Sequence, residues 1–593
     1  MSRLQAWRPK YYWYKTPKSA PPRRSNLLRV LELEDRITPA TFTVNSTSDA
    51  VVADGNLTLR EAIGSLNLGN NNDLSAAEKL LVTGTYGTSD VISLTGVSGT
   101  ITLGGTELAI GKPATITGPG ATLLAISGNN SCRIINASSA GSGSTITVTN
   151  VTLTSGSASR GGAVLVGDQS LSLTNCILIS NLASDRGGAI AIDTGGTLNL
   201  TRSTLSGNTA TFYGGGVNFD SGGSAFVSES AIINNKVTTT IGGGLNFIGH
   251  ITTGGFTVLN STIAGNSSAQ SGGGLSLQTF TGESVTVQNS TIVNNTAAIG
   301  VGGGILVDYA TLVLTSSIVS GNSNTNAPDV FSYSTVNANF SAIGSSSGVI
   351  VSGVNNLAYG TNLMLGMLSN NGGSVQTILP EVGSPVRDAG SNPSSATTDA
   401  RGSGFPRELN AVADIGAVEA PPVLVVRNTS DSGRDSFRQQ VLDSNNLTGT
   451  DTITFSSLFN TPQTILITSG EFSVTDSLTI SGPGANLLTV NGNNTSRFIN
   501  TSAGKSTTVT AISGINIIGC FQNVKGGAFL VGDEQLVLDS VSIQNNSSNN
   551  DGGGICVTVH PVGHSFGVGE SVRWAARVAP RNSSVLRPCS RKV

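Results

Sequence analysis

Carboxylates that could act in pairs are the first residues of interest in this chain, because Asp, Glu, Lys and Arg make up only 11% of its 593 residues. Glycoside hydrolysis needs two carboxyl groups about 5–9.5 Å apart across the scissile bond. The candidates along the middle of the chain are Asp185, Asp193, Asp220 and Glu229. They are scattered singly, with no Asp-Asp pair, and Asp185-Arg186 just before Gly187 reads as an exposed ion pair or turn cap. A polysaccharide lyase would need carboxylates gathered around Ca²⁺ together with a basic Arg or Lys. Residues 161–322 offer only Arg186, Arg202 and Lys236 for the basic role. His250, in Gly249-His250-Ile251, lacks a nearby acid partner and reads as a loop residue.

The densest charged set is Asp388, Asp399, Arg401, Arg407, Asp414 and Glu419. It could close a small metal or ligand site, but it reads better as salt bridges and turn caps holding an irregular end-cap together. Ca²⁺ at outer turns is the one cofactor an acidic surface would admit, although no nonapeptide Gly-Gly-x-Gly-x-Asp pattern occurs. The five cysteines (Cys132, Cys176, Cys520, Cys556, Cys589) are widely spaced and form no CxxC pair, so they indicate neither zinc nor a disulfide framework. No catalytic, cofactor-binding or metal-binding residue is assigned from these patterns.

The elements that would position such residues are legible in the glycines. There are 75 Gly, about 13% against a typical share of about 7%. Gly clusters followed by an apolar residue begin at Gly161, Gly187, Gly214, Gly242, Gly272 and Gly302, and again at Gly526 and Gly552. Each leads into a short alternating segment such as Gly274-Leu275-Ser276-Leu277, then a second such as Val285-Thr286-Val287. A Ser-Thr-apolar element follows and closes on Asn, as in Ser203-Thr204-Leu205 with Asn208, Ser261-Thr262-Ile263 with Asn266, and Ser290-Thr291-Ile292 with Asn295. Ser540-Val541-Ser542-Ile543 with Asn546 continues the pattern.

Alternation with period two means short strands with one buried face. A repeat of under about 30 residues cannot bury that face alone and must stack on its neighbours. The pattern therefore predicts an all-β, right-handed parallel β-helix of the pectate-lyase-like type. Its inward Leu, Ile and Val would form columns, its Asn residues a hydrogen-bonded ladder at one turn, and its Gly residues the tight turn at another. Residues 115–124 return as 479–488, and Gly128-Asn129-Asn130 with Arg133 return as Gly492-Asn493-Asn494 with Arg497. The chain thus holds two tandem units, the second truncated.

Charge is unevenly distributed. Residues 1–36 carry nine Lys or Arg and residues 560–593 carry six, leaving an acidic body with no electrostatic footprint for nucleic acid. No run approaches 18 apolar residues, so no transmembrane helix is expected, and no standard signal peptide opens the chain.

Four segments resemble exported β-helix proteins. Leu31-Glu32-Leu33-Glu34-Asp35-Arg36-Ile37-Thr38-Pro39-Ala40 resembles the motif near the start of many planctomycete surface proteins. Leu57-Thr58-Leu59-Arg60-Glu61-Ala62-Ile63 is similar to the CSLREAI element that opens many bacterial β-helix proteins, with Leu57 in place of Cys. Asn428 to Gly433 with Ser436-Phe437-Arg438-Gln439 looks like a second opening, and Leu59, Ala62, Ile63 and Leu66 suit a helix capping the first coil. The Gly-Gly-apolar and apolar-x-x-Asn repeats resemble those of polymorphic outer membrane proteins. Asn371-Gly372-Gly373, Gly383-Ser384-Pro385, Asp388-Ala389-Gly390, Arg401-Gly402 and Asp414-Ile415-Gly416-Ala417 resemble the choice-of-anchor Q domain.

The resulting organisation is a basic targeting or flexible segment (1–40), a first β-helix unit (41–354), a choice-of-anchor Q-like closing domain (355–420), a second, truncated unit (421–559) and an atypical basic tail (560–593). The expectation is a non-catalytic, exported cell-surface or extracellular protein, adhesin-like or envelope-structural, with surface glycans or other envelope proteins as partners. The alternative is a carbohydrate-active enzyme, a polysaccharide lyase or glycoside hydrolase on the same fold. Fold alone does not choose between them.

Overall fold

The computed structural model describes residues 38–558 apart from 382, 410–411, 422–423, 448–449 and 505. Most of the N-terminal basic segment, Pro422 of the linker, and the basic tail lie outside the described residues.

The short alternating segments become strands because each coil offers one inward face. Thr197–Thr201 buries Leu198 and Leu200 and turns its polar residues outward. It pairs in parallel with Gly223–Ser228 of the next coil, setting Leu198 against Ala225 and Leu200 against Val227. Repetition of that step makes a right-handed parallel β-helix, with sheets of 13, 10, 9 and 6 strands in the first unit. One core runs from Ala40 to Ile343. The second unit has sheets of five, four, four and two strands and its own core from Leu424 to Ile555.

Glycine is required where coils meet at the tightest corner. Gly214 has φ 63°, and a Cβ on Gly215 would lie 2.3 Å from the Gly243 carbonyl oxygen of the next coil. Packed against these glycines, where a Cβ on Gly244 would lie 3.1 Å from the Asn266 side chain, the buried Asn181, Asn208, Asn235, Asn266, Asn295 and Asn322 form the expected ladder. Each donates its backbone N–H and its Nδ2 to the Oδ1 of the next, and Asn322 donates both to Asp329 Oδ1. A second ladder joins Ser203, Ser230, Ser261, Ser290, Ser317 and Ser341 through backbone N–H to Oγ bonds.

Each unit opens with a helix, Leu59–Leu68 and Phe437–Ser444. The first is held by a capping box between Thr58 and Glu61 and buries Leu59, Ala62, Ile63 and Leu66.

The segment 355–420 begins by stacking on the last coil, where the Leu357 and Gly360 N–H groups donate to the Ser341 and Gly344 carbonyls, but most of it is not a lid over the end of the stack. It lies along the flank of the ten-stranded sheet, where the outward residues Ala231, Ile233, Ala264, Val293 and Ile318 are apolar and pack against Leu363, Val375, Ile378, Val386 and Ile415. The Ala417 N–H donates to Thr291 Oγ1 at 2.9 Å, and Asn260 Nδ2 donates to the Thr398 carbonyl at 3.0 Å. An apolar outward column would otherwise face water, so the flank is where burial favours this segment.

Candidate functional site

The coil that ends at Arg160 and the three that follow gather most of the mid-chain charge at one place. Asp193 follows strand Ile190–Ile192 and Asp220 follows Val217–Phe219, and these strands pair in register. The two aspartates are therefore successive rungs about 4.8 Å apart along the backbone ladder. This corrects the reading that they are scattered singly: the coil period, not chain proximity, brings them together. Asp185 and Arg186 also do not form a turn, but end strand Leu182–Arg186.

Arginines thread the group. Arg160 reaches Asp193 at 3.1 Å and Asp185 at 3.5 Å. Arg186 contacts Asp185 at 3.1 Å, is paired with Asp220, and lies over the Tyr213 ring at 5.4 Å. Burial draws the Arg160 guanidinium down, but the carboxylates of Asp193, Asp220 and Asp185 outweigh it and hold the group above its ordinary value. Arg160 and Tyr213 escaped the sequence reading because each sits one residue before a Gly cluster. That spacing was the available signal.

The remaining candidates lie elsewhere. Glu229 pairs with Arg202 at 3.3 Å at the turns facing the flank segment, where Thr398 Oγ1 donates to Glu229. Lys236 is exposed on the six-stranded sheet. His250 is not without an acid partner: its Nδ1 lies 2.9 Å from Glu283 Oε1, and its ring stacks on Phe280 with centroids 3.9 Å apart. Residue 283 is one coil away, so sequence distance hid the contact.

The flank set is a separate, buried network. Arg401 Nη2 donates to Asp399 Oδ2 and to the Glu419 carbonyl, both at 2.6 Å, and its guanidinium lies 4.1 Å from the Phe405 ring centroid. Arg407 is fully buried and bonded to the Asp414 carbonyl. Burial pulls its guanidinium down against the attraction of Glu419, Asp399 and Asp414. Asp388, Asp414 and Glu419 each offer an oxygen within 4.8 Å of the others, the described arrangement that could hold Ca²⁺. Backbone N–H groups already cap the two buried carboxylates: Asp388 and Ala420 donate to Asp414, and Leu409 and Asp414 donate to Glu419. Burial, and then the Asp414 carboxylate, push Glu419 up to about 8. The two carboxyls thus cap turns of the segment through four backbone N–H groups.

No family model and no curated protein matches the sequence. Among solved structures the chain is similar to the PL6 family alginate lyase AlyGC, at 9% identity over 79% of this chain and 72% of that one, with a TM-score of 0.17. An arginine mutant of the same lyase gives 10% identity over 79% and 76%, with a TM-score of 0.16. Likeness at that level extends to no residue of the site.

Chemically, the corner at Asp193 and Asp220 carries three carboxylates tied to two guanidinium groups, a fixed network with a net negative charge. Among the described residues no helix is long and apolar enough to cross a membrane.

Proposed function

We propose that the chain is a non-catalytic, exported cell-surface or extracellular β-helix protein, adhesin-like or envelope-structural, that meets surface glycans or other envelope proteins. The observation carrying this reading is the ion network at the coil corner. Asp185, Asp193 and Asp220 are each engaged by Arg160 or Arg186. Each of these carboxylates is tied to a guanidinium, the arrangement of a structural ion network, with one oxygen of Asp193 left without a partner. The CSLREAI-like opening, the polymorphic outer membrane protein-like repeats and the choice-of-anchor Q-like segment support export and surface display. The decisive tests are cell fractionation with an antibody to the protein and an assay of the purified chain on acidic and neutral polysaccharides. Surface or extracellular recovery without turnover is expected, and recovery in the cytoplasm overturns the reading.

The second reading, a carbohydrate-active enzyme, is favoured by the in-register placement of Asp193 and Asp220. Two carboxylates on adjacent coils approach the separation a retaining glycosidase uses, about 5–5.5 Å. Turnover of any polysaccharide, abolished in Asp193→Asn or Asp220→Asn, would establish it.

A further inference from the structure

The same corner that carries Asp193 and Asp220 continues along the stack as a row of exposed rings. His250 lies between strands Leu245–Ile248 and Ile251–Leu259, and Phe280 between Leu275–Gln278 and Ser284–Gln288. Tyr309 lies between Ile305–Val307 and Thr311–Thr315, and Tyr333 between Val330–Ser332 and Val336–Asn339. Those strands are successive neighbours in two sheets, so the four residues occupy the same turn on four consecutive coils. At about 4.8 Å per coil the row is about 14 Å long.

The rings are exposed but braced. Side-chain exposure is 73% for His250, and residue exposure is 46% for Phe280, 55% for Tyr309 and 67% for Tyr333. Glu283 fixes the first pair: Oε1 faces His250 Nδ1 and accepts the Ile251 N–H at 3.1 Å, while Oε2 accepts the Phe280 N–H at 3.1 Å. Tyr309 and Tyr333 stack with centroids 5.9 Å apart, and Phe331 packs edge-on against Tyr333 at 5.0 Å. Four exposed rings held in place along a line cost apolar exposure that folding does not require. Held rings also lose little conformational entropy on meeting a ligand.

We propose that this row is a binding track for an extended, uncharged glycan chain, which deepens the non-catalytic surface reading and rests on it. A sugar ring has an apolar C–H side that packs on aromatic rings and a hydroxyl rim that bonds to acceptors and to phenol groups. The turns of this corner supply both, with Glu283 and Asp308 beside the rings and Asp193 and Asp220 further along. The charge here selects against an acidic polymer. The arginines of the corner, Arg160 and Arg186, are held in ion pairs with aspartates, and the sequence holds no Lys or Arg between Lys236 and Arg387. A uronate or sulfated chain on the rings would therefore meet Glu283 and Asp308 with only His250, already facing Glu283, beside them.

The test is native affinity electrophoresis of the full chain in gels containing galactomannan, hydroxyethylcellulose or laminarin, with alginate and polygalacturonate as the acidic arm. Retardation by at least one neutral polymer is expected, with none by the acidic ones. A Tyr309→Ala/Tyr333→Ala double variant with an unchanged melting temperature should bind at least tenfold more weakly. Absence of retardation by every neutral polymer, equal retardation by the acidic ones, or a double variant that runs like the parent overturns the track and leaves the surface reading standing. So does a chain that dimerises in solution through these tyrosines, seen as a mass halved in the double variant. Cleavage of the retarding polymer has the opposite meaning: it supports the track and overturns the non-catalytic reading.

Discussion

The two β-helix units begin alike and continue differently. In the first, Arg60 of the cap helix pairs with Asp49 at 2.8 Å and donates to the Thr106 and Glu107 carbonyls, while the Glu107 side chain holds Arg133 and Asn136. In the second, Arg438 pairs with Asp431 at 2.7 Å and donates to the Gly470 and Glu471 carbonyls, while Glu471 holds Arg497 and Asn500. The opening is thus a charged clamp in both. Beyond it the first unit runs on six Asn rungs, whereas in the second Cys520 stands in the ladder position and Asn546 supplies the rung beneath it. The chemistry of the two devices explains their places. An Asn side chain both donates and accepts, so each rung presents the next with what it received. An Arg–Glu clamp joins a side chain that only donates to one that only accepts, so neither can pass the same pattern to a like residue in the next coil. Asp329, which only accepts when ionised, sits where the first ladder stops.

The comparison breaks most sharply at a middle rung. Asn235→Ala leaves the buried Asn208 N–H and Nδ2 without their acceptor and the Leu205 carbonyl without its donor. The expected loss is about 3 kcal/mol, or roughly hundredfold faster hydrogen exchange in the adjoining coils. Asn546→Ala, in a partly buried rung, should cost less than about 1 kcal/mol. Exchange measured by mass spectrometry on the full chain reads both; equal effects would remove the ladder as the feature separating the units.

The ladder and the stacking period were legible because they repeat: offsets of one coil bring like residues together, and the Asn, Ser and Gly columns follow directly. What the sequence concealed was everything that one coil of separation brings into contact between unlike residues. Arg160 with Asp193, Arg186 with Asp220, and His250 with Glu283 are about 33 residues apart and carry no shared motif. The flank position of 355–420 was hidden for a related reason. Outward Ala231, Ile233 and Val293 follow the same strand pattern as their neighbours, and only the folded sheet shows them as one apolar column.

The clamps should be interchangeable in effect. Arg438→Ala leaves Asp431 nearly buried with its guanidinium partner gone, and that carboxyl is held below its ordinary range because the Arg438 and Thr468 bonds outweigh its burial. Breaking such a pair costs about 3 kcal/mol, and Arg60→Ala, at the slightly more exposed pair with Asp49, somewhat less. Protection should fall first in the helix and first coil of the unit that was altered. Loss of protection in both units after one substitution would mean that they do not open independently.

The flank segment gives the first unit a pH dependence at higher pH than that of the second, where burial and the Asp476 carboxylate lift Asp451 to about 6. Glu419, ordinarily near 4.5, is lifted to about 8 in the folded protein. Between those values the native state keeps a proton that the unfolded chain has released, so stability is full below the lower value and falls as pH rises through about 8. The melting temperature should drop by several degrees from pH 6 to pH 9, with increased exchange confined to the flank and the coils it covers. Glu419→Gln, which fixes the uncharged form, should flatten the profile. A profile unchanged by that substitution would assign the pH effect to another group.

The smallest effect belongs to the coil corner, and its size is itself informative. Arg186 touches Asp185 and Asp220, all three partly exposed, so solvent and salt screen the pairs. Arg186→Ala should lower stability by under about 1 kcal/mol at low salt. The remaining cost is the repulsion of two carboxylates that lose the guanidinium between them, and it should vanish by about 1 M salt, where the screening length is near 3 Å. Melting curves across that salt range give the answer. A loss that persists at high salt would mean that Arg186 supports the coil through its packing on Tyr213 rather than through charge. A screened, small loss leaves the network as surface chemistry mounted on coils that the Asn ladder already holds.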